Sequence, residues 1–128
     1  MNIPVLIVAC IMLLAFIAHI VGGTKETLNI SPNKENEKLT LNWKQAMCAF
    51  QMLSIDLFVT MVVLFIISLT EIIPFEYELT IILSVVFLMW GVVWLIQLLW
   101  LKSKRKEYFL LPQWIIWFVC SPLLYWGA

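Results

Sequence analysis

One histidine and three glutamines are the side chains with the clearest potential for hydrogen-bond chemistry in an apolar setting. His19, Gln51, Gln97 and Gln113 each lie in a separate, strongly apolar stretch of the sequence. Counted from the nearest loops at about 1.5 Å per helical residue, all four fall in one band, roughly 5 to 10 Å inside the edge of a membrane. Polar groups at that depth are costly, so they are informative about function.

Tryptophans on the same helix faces extend this band into a candidate pocket. Trp94 shares a face with Gln97, and Trp117 shares a face with Gln113. An imidazole and three amides suit a flat carbonyl-bearing molecule such as a quinone, or a lipid headgroup, whereas a cation would require a carboxylate. Interhelical hydrogen bonds that fix register are the alternative role of the polar members. The candidate ligand-binding residues are therefore His19, Gln51, Trp94, Gln97, Gln113 and Trp117.

Asp56 is the only acidic residue in any of the apolar stretches. It lies twelve residues beyond Lys44, which places it near the middle of a membrane, and no lysine or arginine is available at that depth. We expect it to be protonated and hydrogen-bonded within a helix bundle or in an oligomer. Two roles stay open for Asp56: a proton or cation carrier in a channel or transporter, and a hydrogen bond between helices or subunits.

The sequence indicates neither a catalytic nucleophile nor a metal centre. Cys10, Cys48 and Cys120 lie singly in three different stretches without a Cys-x-x-Cys pair, and the chain has one histidine. Zinc sites and Ser/His/Asp or Cys/His arrangements need more of these residues in suitable places. We therefore expect no metal and assign no catalytic residue, and enzyme activity stays open although the sequence disfavours it. A quinone or a lipid is the one candidate cofactor.

Helices that cross a membrane are the elements that must position these side chains. The 128 residues are 63% hydrophobic and 12% charged, which excludes an ordinary water-soluble fold. Roughly 20 apolar residues cross a hydrocarbon core of about 30 Å as a helix. The stretches 3–21, 45–70, 79–101 and 109–126 qualify, and none shows the alternation of a barrel strand. The prediction is an all-α polytopic membrane protein, one antiparallel four-helix transmembrane bundle over residues 1–128.

The basic residues predict the orientation of this bundle. They occur in two loops only, the first and the third, and the opposite side has none. The positive-inside rule then places those loops in the cytoplasm and both termini outside. The first loop, 24–42, is expected to be an exposed connector with a short surface helix over 34–41. The basic residues are Lys25, Lys34, Lys38, Lys44, Lys102, Lys104, Arg105 and Lys106.

Two short motifs resemble those of a group of small four-span bacterial membrane proteins of uncharacterised function. The motifs are His19-x-x-Gly22-Gly23, which closes the first helix, and Leu111-Pro112-Gln113-Trp114, which opens the fourth. Those proteins often carry an aromatic-His pair early in helix two, where this chain has Phe50-Gln51, so the second histidine is absent. The resemblance implies a bacterial inner membrane and a joint role for His19, Gln51 and Gln113.

The small size of the chain and its short loops indicate that it functions within a larger assembly. We predict an oligomer or an accessory subunit of a bacterial membrane complex, with the lipid bilayer and membrane subunits as partners and no nucleic acid. A small transporter or channel that uses Asp56 is one alternative. A quinone- or lipid-binding module at the polar layer around His19 is the other.

Overall fold

The computed structural model describes residues 1–33 and 36–128, and these residues contain helices and no strand. This confirms the all-helical class. The chain begins with α1, a π-helical segment and α2, continues through two long helices, and ends with a short helix and a final longer one. Their bounds are α1 Ile3–Ile17, the π segment Ala18–Gly23, α2 Thr24–Asn29, α3 Glu37–Leu69, α4 Glu76–Trp100, α5 Glu107–Leu110 and α6 Gln113–Gly127.

Three helices are long and apolar enough to cross a membrane. The first runs without interruption over Ile3–Asn29, and the others are α3 and α4 with 33 and 25 residues. At 1.5 Å per residue, even 25 residues extend about 37 Å, more than the hydrocarbon core. The 15 residues of α6 extend only about 22 Å, so a fourth span there stays a prediction.

The helix bounds differ from the predicted ones at the ends. The helix expected over 109–126 begins at Gln113, because Pro112 lacks an N–H and disfavours helical geometry in the residue before it, Leu111, whose φ and ψ are −118° and 65°. The first loop is much shorter than 24–42, since α2 prolongs the first helix and α3 begins at Glu37. Of the surface helix expected over 34–41, residues 34 and 35 lie outside the described residues, and the rest belongs mainly to α3.

The chain divides into two compact units whose boundaries fall inside α1 and α3. Unit 1 comprises Met1–Val8 with Ile66–Ala128, and unit 2 comprises Ala9–Phe65. In unit 1, α4 and α6 pack antiparallel. The Ser84 hydroxyl donates to the Ser121 carbonyl oxygen at 2.8 Å, and Gly91 lies against Phe118. A hydroxyl that bonds across the pair and a glycine that permits close approach are typical of helix contacts in membranes.

Asn2 hydrogen-bonds to the start of α1 and to the ends of α3 and α6 within unit 1. Its backbone N–H donates to the Ser68 carbonyl oxygen at 2.8 Å, and its side-chain amide donates to the carbonyl oxygen of Gly127. Its side-chain oxygen accepts from the Val5 N–H at 3.3 Å. The asparagine therefore satisfies a backbone donor at the start of α1 while holding the ends of α3 and α6.

In unit 2 the first helix and α3 run antiparallel. Phe16 and Phe58 meet with ring centroids 5.5 Å apart, and further along the first helix the Trp43 indole N–H donates to the Thr27 carbonyl oxygen at 3.2 Å. Residues further along the first helix therefore contact residues earlier in α3, as two antiparallel helices require. This pairing brings the π segment against the middle of α3.

Candidate functional site

The predicted site residues fall into two groups, one in each unit. Unit 2 contains His19, Gln51 and Asp56, and unit 1 contains the remaining candidates, Trp94, Gln97, Gln113 and Trp117.

His19 lies in the π segment and is held by Phe50. Its Nε2–H donates to the Phe50 carbonyl oxygen at 3.1 Å, and the two rings stack with centroids 3.8 Å apart and an interplanar angle of 20°. Because a carbonyl oxygen can only accept, Nε2 must carry a proton, and the Nδ1 of a neutral imidazole keeps its lone pair. π-helical turns are rare and occur frequently at functional sites. His19 can therefore accept a hydrogen bond or a proton at Nδ1.

Gly23 makes room for the ring on which His19 stacks. A Cβ at Gly23 would lie 2.7 Å from the Phe50 Cζ, whereas a Cβ at Gly22 would meet nothing within 4 Å. Of the two glycines in the first motif, the second is thus required by the packing against Phe50.

Gln51 is bonded to a residue that the sequence had assigned to a loop. Its Nε2 donates to the Thr24 hydroxyl at 3.1 Å, and its Oε1 accepts from the Ser54 hydroxyl at 3.4 Å. It makes no direct hydrogen bond with His19, although it follows Phe50 in the chain. The sequence predicts an end of the first helix before Thr24, because the residues after Gly23 are polar. A helix extended by one more turn would have placed Thr24 opposite Gln51.

An open apolar groove of about 530 Å³ runs along unit 2. Gln51 and Ser54 are its only strongly polar lining residues, and the Ser54 hydroxyl donates a hydrogen bond to the Gln51 side-chain oxygen. A groove of this composition accepts an acyl chain or the apolar side chains of another helix. It is lined by Phe16, Ile20, Met47, Cys48, Gln51, Met52, Ser54, Ile55 and Phe58.

Asp56 is exposed, with no hydrogen-bond or ion-pair partner among the described residues. The expected hydrogen bond within a bundle is therefore not found in the part of the chain that the structure describes. Met52, Ile55 and Val59 share its face at helical spacing, and their exposed fractions are 70%, 63% and 52%. The carboxyl group thus interrupts an apolar helix surface and is available to a group outside the chain.

In unit 1, Trp117 belongs to an aromatic cluster between α4 and α6. Its ring meets Phe87 and Trp90 edge-on, with centroid separations of 5.4 and 5.1 Å. Edge-to-face pairs of this kind stabilise by about 0.5–1.5 kcal/mol beyond the area that they bury. Trp117 is therefore a packing residue of the α4–α6 contact.

Two buried polar atoms near this cluster have no hydrogen-bond partner among the described residues. They are the indole Nε1 of Trp94 and the amide Oε1 of Gln113. Leaving such a group unpaired costs roughly 1–3 kcal/mol. One is a donor and the other an acceptor, so a hydroxyl group could satisfy either of them.

Gln97 does not join this group, which corrects the prediction that it faces inward. It is exposed, while Leu98 is 4% exposed. The packed side of α4 continues from Phe87 through Gly91 to Leu98, because a helix of 3.6 residues per turn alternates steps of four and three.

Among the described residues no group of three or more His, Cys, Asp or Glu side chains could hold a metal ion. No protein-family model, curated protein or solved structure matches the chain.

Proposed function

We propose that this chain is a small integral membrane protein that works as part of a larger assembly, as an oligomer of itself or as an accessory subunit of a bacterial membrane complex. Its setting would be the cytoplasmic membrane, as an antiparallel four-helix bundle with the basic loops in the cytoplasm and both termini outside. Three helices of sufficient length and apolarity support the membrane setting, and the distribution of basic residues supports the orientation.

The exposed carboxyl group of Asp56 is the observation that carries this proposal. On α3, Lys44 lies about 18 Å before Asp56, and the helix continues about 20 Å beyond it to Leu69, at 1.5 Å per residue. An aspartate at the centre of a spanning helix costs about 2.5–3.5 kcal/mol on insertion scales when lipid is its neighbour. A protein surface that offers a hydrogen-bond partner removes much of this cost.

The surface around Asp56 suits a neighbouring helix. Met52, Ile55 and Val59 present an exposed apolar stripe, and the groove beside it is also apolar. Around a two-fold axis the same face meets itself, so the two Asp56 side chains would lie opposite each other within reach of a hydrogen bond. A different membrane subunit would have to supply a donor at the same depth.

Native mass spectrometry in mild detergent tests this proposal. We expect the unmodified chain to be recovered as an oligomer or with a partner, and Asp56→Leu to lower the associated fraction about tenfold, because the central hydrogen bond is lost. Asp56→Asn, whose amide still forms hydrogen bonds, should largely retain association. Glu71→Leu is the matched control, since it removes a carboxylate beyond the end of α3. A clean monomer in several detergents, or association that survives Asp56→Leu, contradicts the proposal.

A transporter or channel that uses Asp56 is a second candidate, favoured by the free carboxyl group. An assembly closed around α3 would line a path with that group. Proteoliposome flux distinguishes the two functions: transport requires Asp56→Asn to abolish a pH-dependent flux although the assembly persists, and unchanged flux excludes it.

A quinone- or lipid-binding module around His19 is the third candidate, favoured by the acceptor site that the Nδ1 of a neutral His19 ring keeps. A hydrophobic ligand that carries a hydroxyl group would donate a hydrogen bond to this nitrogen. Mass spectrometry of the co-purified lipids should then find a species that disappears in His19→Ala, and Gln113→Leu tests separately whether the unpaired oxygen in unit 1 holds a ligand. The absence of any enriched species counts against binding.

A further inference from the structure

The connection between α4 and α6 is a structured platform, which we call the basic hairpin and define as Leu99–Leu111. At the end of α4, the Lys102 N–H donates to the Leu99 carbonyl oxygen and the Ser103 N–H donates to the Leu98 carbonyl oxygen, both at 3.0 Å. These two bonds form the Schellman arrangement that closes a helix.

Lys102 occupies the position in this turn where glycine is usual. Its φ of 52° is the only positive value among the described non-glycine residues. The left-handed region disfavours residues that carry a Cβ. Since glycine would close the same helix without strain, the lysine side chain requires an explanation outside the turn, and strained positions of this kind cluster at functional sites.

The rest of the basic hairpin is also held in place. The Lys104 N–H donates to a carboxylate oxygen of Glu107 and the Glu107 N–H donates to the Lys104 carbonyl oxygen, both at 2.8 Å. The first bond is the half of a capping box in which a glutamate side chain accepts from the backbone N–H three residues earlier, and the second is a backbone turn. The Trp114 indole N–H donates to the Tyr108 carbonyl oxygen at 2.9 Å, which fastens the end of the hairpin to α6.

Within residues 1–33 and 36–128, no acidic side chain forms an ion pair with the charges on this platform. Lys102, Lys104, Arg105 and Lys106 are all exposed, and none has an acidic partner among the residues that the structure describes. Glu107 is the one acidic residue of the segment, and its carboxylate is engaged by the backbone of Lys104. An unneutralised basic surface therefore remains for an anionic partner.

Large apolar side chains on both sides of the charges identify the kind of partner. Trp100 is 81% exposed, Leu101 69%, Phe109 67% and Leu110 70%. A soluble acidic protein or a nucleic acid would leave these groups in water. A phospholipid offers an anionic headgroup for the basic residues and hydrocarbon for the apolar ones, and tryptophan is enriched at that boundary.

We propose that the basic hairpin is a binding site for anionic phospholipid headgroups, with Lys102 as a dedicated contact. The proposal rests on the membrane setting of the proposed function and is independent of whether the chain assembles. Lys104, Arg105 and Lys106 contribute electrostatic attraction, and the flanking Trp100 and Phe109 anchor the platform in the interface.

The test is a titration of the detergent-purified full chain with phosphatidylglycerol and, separately, with phosphatidylcholine, counting the lipids bound to the monomeric species by native mass spectrometry. We expect phosphatidylglycerol to be retained preferentially. The triple change Lys104→Gln, Arg105→Gln and Lys106→Gln should weaken its retention at least tenfold, because each basic residue near an anionic surface contributes roughly fivefold in affinity. Phosphatidylcholine retention should stay within twofold.

Lys102→Gly separates a binding role from a structural one. It should weaken phosphatidylglycerol retention about fivefold while leaving the melting temperature equal or higher, since glycine relieves the left-handed strain. If retention is unchanged, Lys102 is a turn residue and its assignment is overturned.

The matched control changes three basic residues of the first helix and α3. Lys25→Gln, Lys38→Gln and Lys44→Gln remove the same charge from a segment that also carries Glu26 and Glu37, and should leave lipid retention within twofold. An equal loss in this control means attraction by net charge alone and overturns the site. Binding of poly-glutamate with the same dependence on the hairpin variants overturns it in favour of an acidic protein. Counting on the monomer keeps both outcomes distinct from a failure to assemble.

Discussion

Phe50 contacts both His19 and Gly23, the first and last residues of the His19-x-x-Gly22-Gly23 motif. Its carbonyl oxygen accepts from His19, its ring stacks on the imidazole, and the same ring lies against Gly23. In a regular α-helix, Gly22 would lie on the same face as His19. In the π segment each turn contains more residues, so the next position, Gly23, takes the place that faces α3.

A methyl group at position 23 should therefore disturb the His19–Phe50 stack. We expect Gly23→Ala to lower the free energy of unfolding by about 1–3 kcal/mol through overpacking, measured by thermal unfolding in detergent with circular dichroism. Gly22→Ala is the control, because a Cβ there meets open space and alanine favours a helix by about 1 kcal/mol. Equal effects of the two substitutions would show that the contact with Phe50 carries little energy.

At the scale of elements, the contact between α4 and α6 is built from small and aromatic residues in alternation. The Ser84–Ser121 hydrogen bond, the Phe87–Trp117 contact and the close approach at Gly91 follow one another along the pair. Without a hydrophobic force between helices in lipid, such contacts depend on close packing and hydrogen bonds. A Cβ at Gly91 would already lie 3.1 Å from the Phe118 ring.

Gly91→Leu should consequently force the two helices apart. We expect it to reduce stability by about 1–3 kcal/mol or more, observed as a lower midpoint of SDS-induced unfolding. Val93→Leu enlarges an exposed position two residues further along α4 and should change the midpoint little. A midpoint for Gly91→Leu that equals the control would show that α4 and α6 do not pack through this glycine.

At the scale of the whole molecule, the length of α6 determines the number of membrane crossings. Its 15 residues extend about 22 Å, yet the predicted orientation, with both termini outside, requires a crossing. A span shorter than the hydrocarbon core is accommodated by thinning of the bilayer or by flanking side chains that reach the interface.

Cysteine labelling on intact cells decides the number of crossings. In a background with Cys10, Cys48 and Cys120 replaced by serine, we expect Ala128→Cys to react with an impermeant maleimide from outside. Ser103→Cys should react only after lysis, because the positive-inside rule places the basic hairpin in the cytoplasm. If both positions react only after lysis, α6 does not cross and the protein has three spans.

The sequence alone determined the helical class, the three long apolar helices and the isolation of Asp56 from basic residues. Those properties follow from composition and chain order: continuous apolar runs require helices to satisfy their backbone groups in lipid. The exposure of Asp56 and Gln97, the role of Gly23 and the strained Lys102 were decided by tertiary structure. A face depends on accumulated helical rotation, so one π segment or one turn of unrecognised helix moves every later residue to a new direction. Partners such as Thr24 for Gln51 lie 27 residues apart in the chain, and only the folded pairing of helices brings them together.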